Sequence, residues 1–273
     1  MRIFNRKSLS ILPLSHRKSK TNIEDIAIEA KIEQKASLKS FSVIEKISQS
    51  IKKAKERNRP VILSYGAHLI KNGLAPLLKI LVEKKYISHL ATNGAGIIHD
   101  WEFAFQGKTE EDVGEYLTRG QFGLWEETGK YINLAILLGA AYNMGYGESV
   151  GKLIHDDKLV IPPLEQIKEK VLKNENGVGL LNLYKKIKSL QLKQGTLKVN
   201  HPFKKYSITH AAFENNIPLT VHPGFGYDII YETPYNSGAA IGITAEIDFL
   251  RFVNSIANLN QGVYISIGSA IMS

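Results

Sequence analysis

His99, Asp100 and Glu102 are the residues of this chain whose types and spacing most invite chemistry. They follow directly on Thr92-Asn93-Gly94-Ala95-Gly96. An imidazole beside two carboxylates can move protons or hold a cationic substrate. Small residues at 94–96 let a backbone approach a ligand closely. A helix beginning near Ile97 would turn its free N–H groups toward an anion such as a phosphate. Asp100 has a second reading, as a helix cap or loop brace. His68, after Gly66-Ala67, sits in a similar setting, and its alternative is a buried histidine bonded to backbone. His222, Asp228 and Glu232 surround Gly224-Phe225-Gly226, although glycine and aspartate are also ordinary turn residues.

Other patterns carry less. His99, His222 and a carboxylate could assemble a zinc or iron site, but no His-x-x-x-His or comparable spacing supports one, and no metal is expected. Gly147-Glu-Ser-Val-Gly151 matches the nucleophile-elbow pattern, which needs a strand before it and a helix after it. Here an apolar helix precedes, so a glycine-rich turn is the expectation. Glu126-Glu127, after Phe122-Gly-Leu-Trp125, reads as a pocket wall or as a solvated helix start. Neither a Gly-x-Gly-x-x-Gly fingerprint nor a Walker loop occurs.

The elements that must position these residues follow from periodicity. Val43, Ile44, Ile47, Ile51 and Ala54 recur at helical spacing. Strands are expected at 60–65, 87–91, 217–221 and 262–268, with helices at 74–82, 109–116 (Thr109 as N-cap), 129–143, 163–174, 180–192, 206–215 and 243–257. Gly145-Tyr-Gly147 should break the helix before it. Strands alternating with helices predict an α/β fold, a mainly parallel sheet covered on both faces. Strand ends run into small-residue loops at 66–68, 93–96, 222–224 and 268–270, and in an open parallel sheet such loops line the ligand crevice. A nucleotide pocket is expected there.

Composition sets the outer limits. The chain has 273 residues, 44% of them hydrophobic, and no cysteine. Disulfides, thiolate metal sites and a cysteine nucleophile are therefore excluded, and a cytoplasmic location is the simplest expectation. The longest apolar run, Leu134 to Met144, is too short to span a bilayer. The formal charge is +9, yet only seven of 35 basic residues are arginines and the lysines are scattered. That pattern reads as a solvated surface rather than a nucleic-acid face. Residues 1–39 are expected to form a basic N-terminal arm, used in packing or oligomer contacts, ahead of one α/β domain over 40–273.

Taken in order, these loops resemble deoxyhypusine synthase and its bacterial relatives over about residues 40–273. Thr92-Asn-Gly-Ala-Gly96 with Ile97-Ile-His-Asp100 looks like the family's glycine loop and following acidic residues. Leu63-Ser-Tyr-Gly-Ala-His-Leu69, Asn216-Ile-Pro-Leu-Thr-Val221, Tyr227-Asp-Ile-Ile230 and Ile267-Gly-Ser-Ala-Ile-Met272 resemble four further family segments. The resemblance implies a Rossmann-like NAD-binding fold in a homotetramer. It implies NAD-dependent transfer of an aminobutyl group from a polyamine such as spermidine to an amine acceptor, through a lysine imine. On that reading Gly66, Ala67, His68, Thr92, Asn93, Gly94, Ala95, Gly96, His222, Gly224, Gly226, Gly268 and Ser269 would bind the cofactor. Asp100 and Asp228 would hold an amine or ribose hydroxyls, with His99 as proton carrier. The family's glutamate pair falls on Ile98 and His99, its catalytic histidine near Thr233, and its Trp-Gly-Lys stretch has no counterpart before Ser273. A non-catalytic nucleotide- or ligand-binding assembly protein is the alternative.

Overall fold

The computed structural model describes residues 3–30, 37–173 and 176–268. Four parallel strands, β1 (Val61–Tyr65), β2 (His89–Asn93), β3 (Leu219–His222) and β4 (Val263–Ile267), form one sheet in the order β3-β2-β1-β4. The chain moves outward from β1 through β2 to β3, and β4 then returns to the far side of β1. Strand order therefore reverses beside β1, the place where open α/β sheets bind ligands. The α/β class with a parallel sheet flanked by helices is as the periodicity predicts.

Among the described residues eight longer helices pack on the sheet or on one another: α1 (Leu38–Glu56), α2 (Ala75–Glu83), α3 (Gly94–Gln106), α4 (Glu126–Ala141), α5 (Tyr146–Asp156), α6 (Leu164–Leu172), α7 (Gly177–Ser189) and α9 (Gly238–Ala257), with the shorter α8 (Ile208–Glu214) between α7 and α9. Register places Leu63, Leu90, Leu219 and Ile265 on one sheet face, and Ser64, Ala91, Thr220 and Ser266 on the other. The second face is polar at its centre, and α9 covers it. His89 bonds Ser255 of α9 at 2.8 Å and Thr220 at 3.0 Å, while Phe252 meets both His89 and His222 edge-on. Asp248 of α9 is fully buried and closes the β3 edge: it accepts the Val221 N–H at 2.9 Å and the Gly147 N–H of α5 at 3.0 Å. An edge N–H and a helix-start N–H, both of which need partners, are satisfied by one carboxylate.

Several expectations are corrected. β2 runs to Asn93, and α3 begins at Gly94, so 94–96 is the first helical turn rather than a loop. The expected helix with Thr109 as N-cap is instead Val113–Thr118, capped by Asp112, whose carboxylate accepts the Glu115 N–H at 2.9 Å. Thr109 lies in a two-residue antiparallel ladder with Thr21. The Gly-x-Ser-x-Gly stretch is inside α5, not a turn. Ser149 is buried and its hydroxyl donates to the Gly145 carbonyl at 2.5 Å. A helix therefore stands where an elbow needs a strand. An antiparallel ladder, Lys158–Ile161 with Gly195–Lys198, was not read from the sequence. In α9, Leu250 and Val253 of the apolar stripe are exposed, while Ala240, Ile241, Thr244 and Asp248 are buried.

Residues 3–30 lie along the body. Leu14 and Ile23 are buried in the core, and Leu12 bridges to Trp125. Among the described residues no helix is long and apolar enough to cross a membrane.

Candidate functional site

The strand-end loops converge as topology requires. Gly66, Thr92, Asn93, His222 and Gly268 line one crevice of about 360 Å³ at the carboxyl ends of the strands, with Ser64, Ser266, Phe252 and Tyr264. Tyr264 donates its hydroxyl to Ser64 at 2.8 Å. Burial holds the His222 imidazole below the usual histidine range. Ser269 lies outside the described residues. Ala67 and His68 belong to a short helix, Ala67–Lys71, and do not line this crevice.

A second, acidic cleft forms where α3 begins. Its inner part, about 230 Å³, is lined by Ala95, His99, Glu102, Glu111, Phe122 and Asp228, among others. Its outer part, about 460 Å³, shares Phe122 and Asp228 and adds Tyr231, Glu232 and Gly226. His99 and Asp228 are thus brought together, as the sequence suggested, while Asp100 is not. Asp100 is 1% exposed and faces α8: it accepts the Ser207 hydroxyl at 2.5 Å and the Ile208 and Thr209 N–H groups at 3.0 Å. Its carboxylate braces a helix start, the second of its two sequence readings.

The glycines of the first α3 turn serve packing inside the chain rather than ligand approach. A Cβ on Gly94 would stand 2.5 Å from both Asp228 carboxylate oxygens, and one on Gly96 would stand 2.1 Å from the Thr92 hydroxyl. A Cβ on Gly224 would stand 2.1 Å from the Tyr227 ring, whereas Gly226 is free of neighbours and needed for its φ of +96°.

Glu102 anchors the inner cleft. Arg17 donates two bonds to it, at 2.8 and 2.7 Å, and Thr109 and Thr128 donate hydroxyls at 2.5 and 2.8 Å. Burial pushes this carboxyl up, but the Arg17 charge and these bonds hold it below the usual range. The Thr109 proton is committed to Glu102, so the 2.8 Å contact with His99 has Nδ1–H of the imidazole as donor. That fixes Nε2 as the free base of a neutral ring. Burial lowers the His99 pKa, and neutrality follows.

Three carboxylates differ from Glu102 in forming no salt bridge among the described residues, although the Arg17 charge reaches Glu111 and Arg6 lines the outer cleft beside Glu232. Glu111 is buried and accepts the Trp125 indole N–H at 2.8 Å and the Gly123 N–H at 3.1 Å, and burial raises its pKa. Asp228 is 7% exposed and accepts only the Gly224 N–H, at 3.2 Å. Burial lifts it to about 6. Glu232 has one oxygen buried without a partner, and burial first, then the Glu111 charge, lift it to about 7. Lys71, the cleft's lysine, is engaged at 3.0 Å by Glu110. Aromatic surface completes the walls: Phe225 stacks on Tyr231 at 4.4 Å, and Tyr227 and Phe122 line the floor. Sequence reading missed Arg17, Glu110 and Glu111. The acid run Glu110-Glu111-Asp112 was the available signal, and it was absorbed by the expected helix start.

The crevice offers polar groups and rings suited to a nucleoside, but no cation lines it. The α3 N-terminus, the expected pyrophosphate seat, already has its Gly96 N–H bonded at 2.9 Å by the Asn93 side chain and the Asp228 carboxylate against Gly94. A pyrophosphate does not fit there.

No protein-family model matches the chain, and no curated protein matches it significantly. Among solved structures it is similar to the arginine dihydrolase ArgZ of the cyanobacterial ornithine-ammonia cycle (14% identity, TM-score 0.38). It is also similar to AgrE in complex with ornithine and NAD+ (12%, 0.37) and to a candidate deoxyhypusine synthase from Entamoeba histolytica (14%, 0.32). The alignments cover 87%, 83% and 92% of this chain but 24%, 24% and 64% of those chains, so it spans about a quarter of the first two. Likenesses this distant assign no function.

Proposed function

We propose that the chain binds a linear polyamine, or another multiply charged amine, in the acidic cleft beside α3. The observation that carries this reading is the set Glu111, Asp228 and Glu232: three largely desolvated carboxylates with no salt-bridge partner among the described residues, in a cleft walled by aromatic rings and reached by the charges of Arg17 and Arg6. A buried carboxylate without a counter-charge is costly, and an ammonium supplies the missing charge. Methylene segments of such a ligand lie against Phe122, Tyr227 and Tyr231, and aromatic faces attract ammonium groups. The neutral His99, with Nε2 free, can accept a proton from a bound amine, and Glu102 with Thr109 holds the ring in that tautomer. A homo-oligomer belongs to the same proposal, with the exposed Leu250 and Val253 of α9 as surface to be covered; sedimentation velocity tests it.

The second reading is NAD-dependent aminobutyl transfer of the deoxyhypusine synthase type, favoured by the crevice at the point where strand order reverses. A dinucleotide bound there would supply hydride acceptance. Against it, Asn93 and Asp228 already fill the α3 N-terminus where a pyrophosphate would sit.

Calorimetric titration with spermidine, with and without NAD, tests both. Amine binding releases protons from Asp228 and Glu232, so affinity should rise from pH 5.5 to pH 8 as groups near about 6 and about 7 ionise. Asp228→Asn or Glu232→Gln should weaken binding by about tenfold or more, the worth of one charge-assisted bond. Absence of saturable spermidine binding at pH 8 would sink the amine reading, and NAD binding without it would leave only the crevice.

A further inference from the structure

We propose that His155, His210 and Glu214 form a site for a borderline divalent metal ion such as zinc or cobalt, separate from the amine cleft and sharing no residue with it. One ring nitrogen of each histidine and a carboxylate oxygen of Glu214 lie within 4.8 Å of one another. Two elements build the cluster. His210 and Glu214 stand four residues apart on α8, hence on one helical face, and His155 comes from the last turn of α5, which packs against α8.

The observation that points to a ligand is His210. Its side chain belongs to a residue only 9% exposed, and its Nδ1 is buried with no hydrogen-bond partner. Such a nitrogen normally finds a partner, and a metal ion is a partner that a neutral imidazole can take. The His155 ring lies near-parallel to His210 at 5.5 Å between centroids, with Phe213 at 5.4 Å, and because imidazole lone pairs lie in the ring planes the exposed His155 ring turns to share an ion with His210. His155 and Glu214 are exposed, and that leaves an entry path from solvent.

Ligand type selects the ion. Two imidazoles and one carboxylate suit zinc, cobalt or nickel, whereas magnesium and calcium prefer all-oxygen sets. Lys79 and Lys204 stand close enough to act on His210, and their charge disfavours a hard cation held by electrostatics alone. Three protein ligands leave a fourth tetrahedral position for water or a small anion.

The test is titration of the full chain, free of any histidine tag, with Co²⁺, followed by the visible absorption of the bound ion and by displacement with Zn²⁺. One equivalent should bind with a tetrahedral spectrum. His155→Ala and Glu214→Gln, both at exposed positions, should leave the far-ultraviolet circular dichroism unchanged and weaken binding by about a hundredfold, since even outer partners of metal ligands are worth up to that. His210→Ala should abolish the spectrum, and His16→Ala, at an exposed histidine outside the cluster, should change nothing. Absence of Co²⁺ binding, or binding that survives both His155→Ala and Glu214→Gln, overturns the proposal. Spermidine affinity is read on the same variants and should be unaltered, which keeps this result separate from that of the amine cleft.

Discussion

Replacing Asp100 by alanine separates a bracing role from a role in the site. The wild-type carboxylate accepts three bonds, from the Ser207 hydroxyl and the Ile208 and Thr209 N–H groups, at 2.5, 3.0 and 3.0 Å. Alanine leaves three buried donors facing a void at the start of α8. Each unsatisfied donor costs about 1–3 kcal/mol, partly recovered as the Ser207 hydroxyl turns its proton to another acceptor while its oxygen goes on accepting the His210 N–H, so the net loss should be about 3–5 kcal/mol. For a chain of this size that corresponds to a fall in Tm of roughly 5–10 °C. Asp100→Asn keeps one acceptor and should lose about half as much. Thermal and urea denaturation at pH 7 read the stability, and calorimetry at a temperature where both variants are folded reads spermidine affinity, which should stay within about twofold because Asp100 lines no cleft. An Asp100→Asn protein with wild-type Tm and no spermidine binding would refute this assignment and return Asp100 to the site.

Other perturbations act on neighbouring parts. Arg17→Ala should destabilise the fold by about 3–5 kcal/mol by stranding the buried Glu102 charge, and limited proteolysis should then cut within residues 3–30; replacing both partners with apolar residues of similar size should recover much of the loss. Asp248, fully buried, is lifted to about 7 by burial. An acid with a raised folded pKa contributes stability that is full below its unfolded pKa and lost as pH rises through the folded one. Relative to wild type, Asp248→Asn should therefore gain up to about 4 kcal/mol between pH 4 and pH 8 in denaturation midpoints. Gly94→Ala drives a methyl group to 2.5 Å from the Asp228 oxygens; it should cost only about 1 kcal/mol of stability yet reduce spermidine affinity, because the displaced carboxylate is a proposed ligand.

The sheet was legible because its strands carry their own signals. Val61 to Tyr65 and Val263 to Ile267 are apolar, β-branched and bounded by glycine or proline, and they fold as read. Helix starts were less legible, since an N-cap and a site residue use the same chemistry. Asp112 rather than Thr109 caps its helix, and although α4 stops at Ala141 as the glycines suggested, Gly147 to Gly151 lie inside α5 rather than in a turn. Lys158 to Ile161 alternates in burial but not in sequence, because Leu159, Val160 and Ile161 are all apolar, and four residues are too few to separate a ladder from a loop. The apolar stripe of α9 misled in another way. Periodicity shows which residues share a face, but the buried face is chosen by Asp248 reaching the β3 edge, a contact between distant segments.

The first turn of α3 shows how local sequence can point to an anion where the proposed cleft calls for a cation. A strand end, three small residues and a helix start describe an anion seat when only local backbone is considered. The structure fills that seat from within: Asn93 takes the Gly96 N–H, and Asp228, more than a hundred residues away in sequence, sets its carboxylate against Gly94. Burial lifts Asp228 to about 6 and the Gly224 N–H bond works against that rise; a helix N-terminus also favours a negative charge. Adding an ammonium tips that balance toward the carboxylate; adding a phosphate puts a second anion on the same turn. A site organised around an internal carboxylate at a helix start therefore selects cations, the opposite of what its glycines announce. Competition makes the distinction measurable: pyrophosphate at concentrations well above that of spermidine should leave spermidine binding at pH 8 unchanged beyond its effect on ionic strength. Direct displacement, abolished by Gly94→Ala, would show that the turn is an anion seat after all and that Asp228 moves aside.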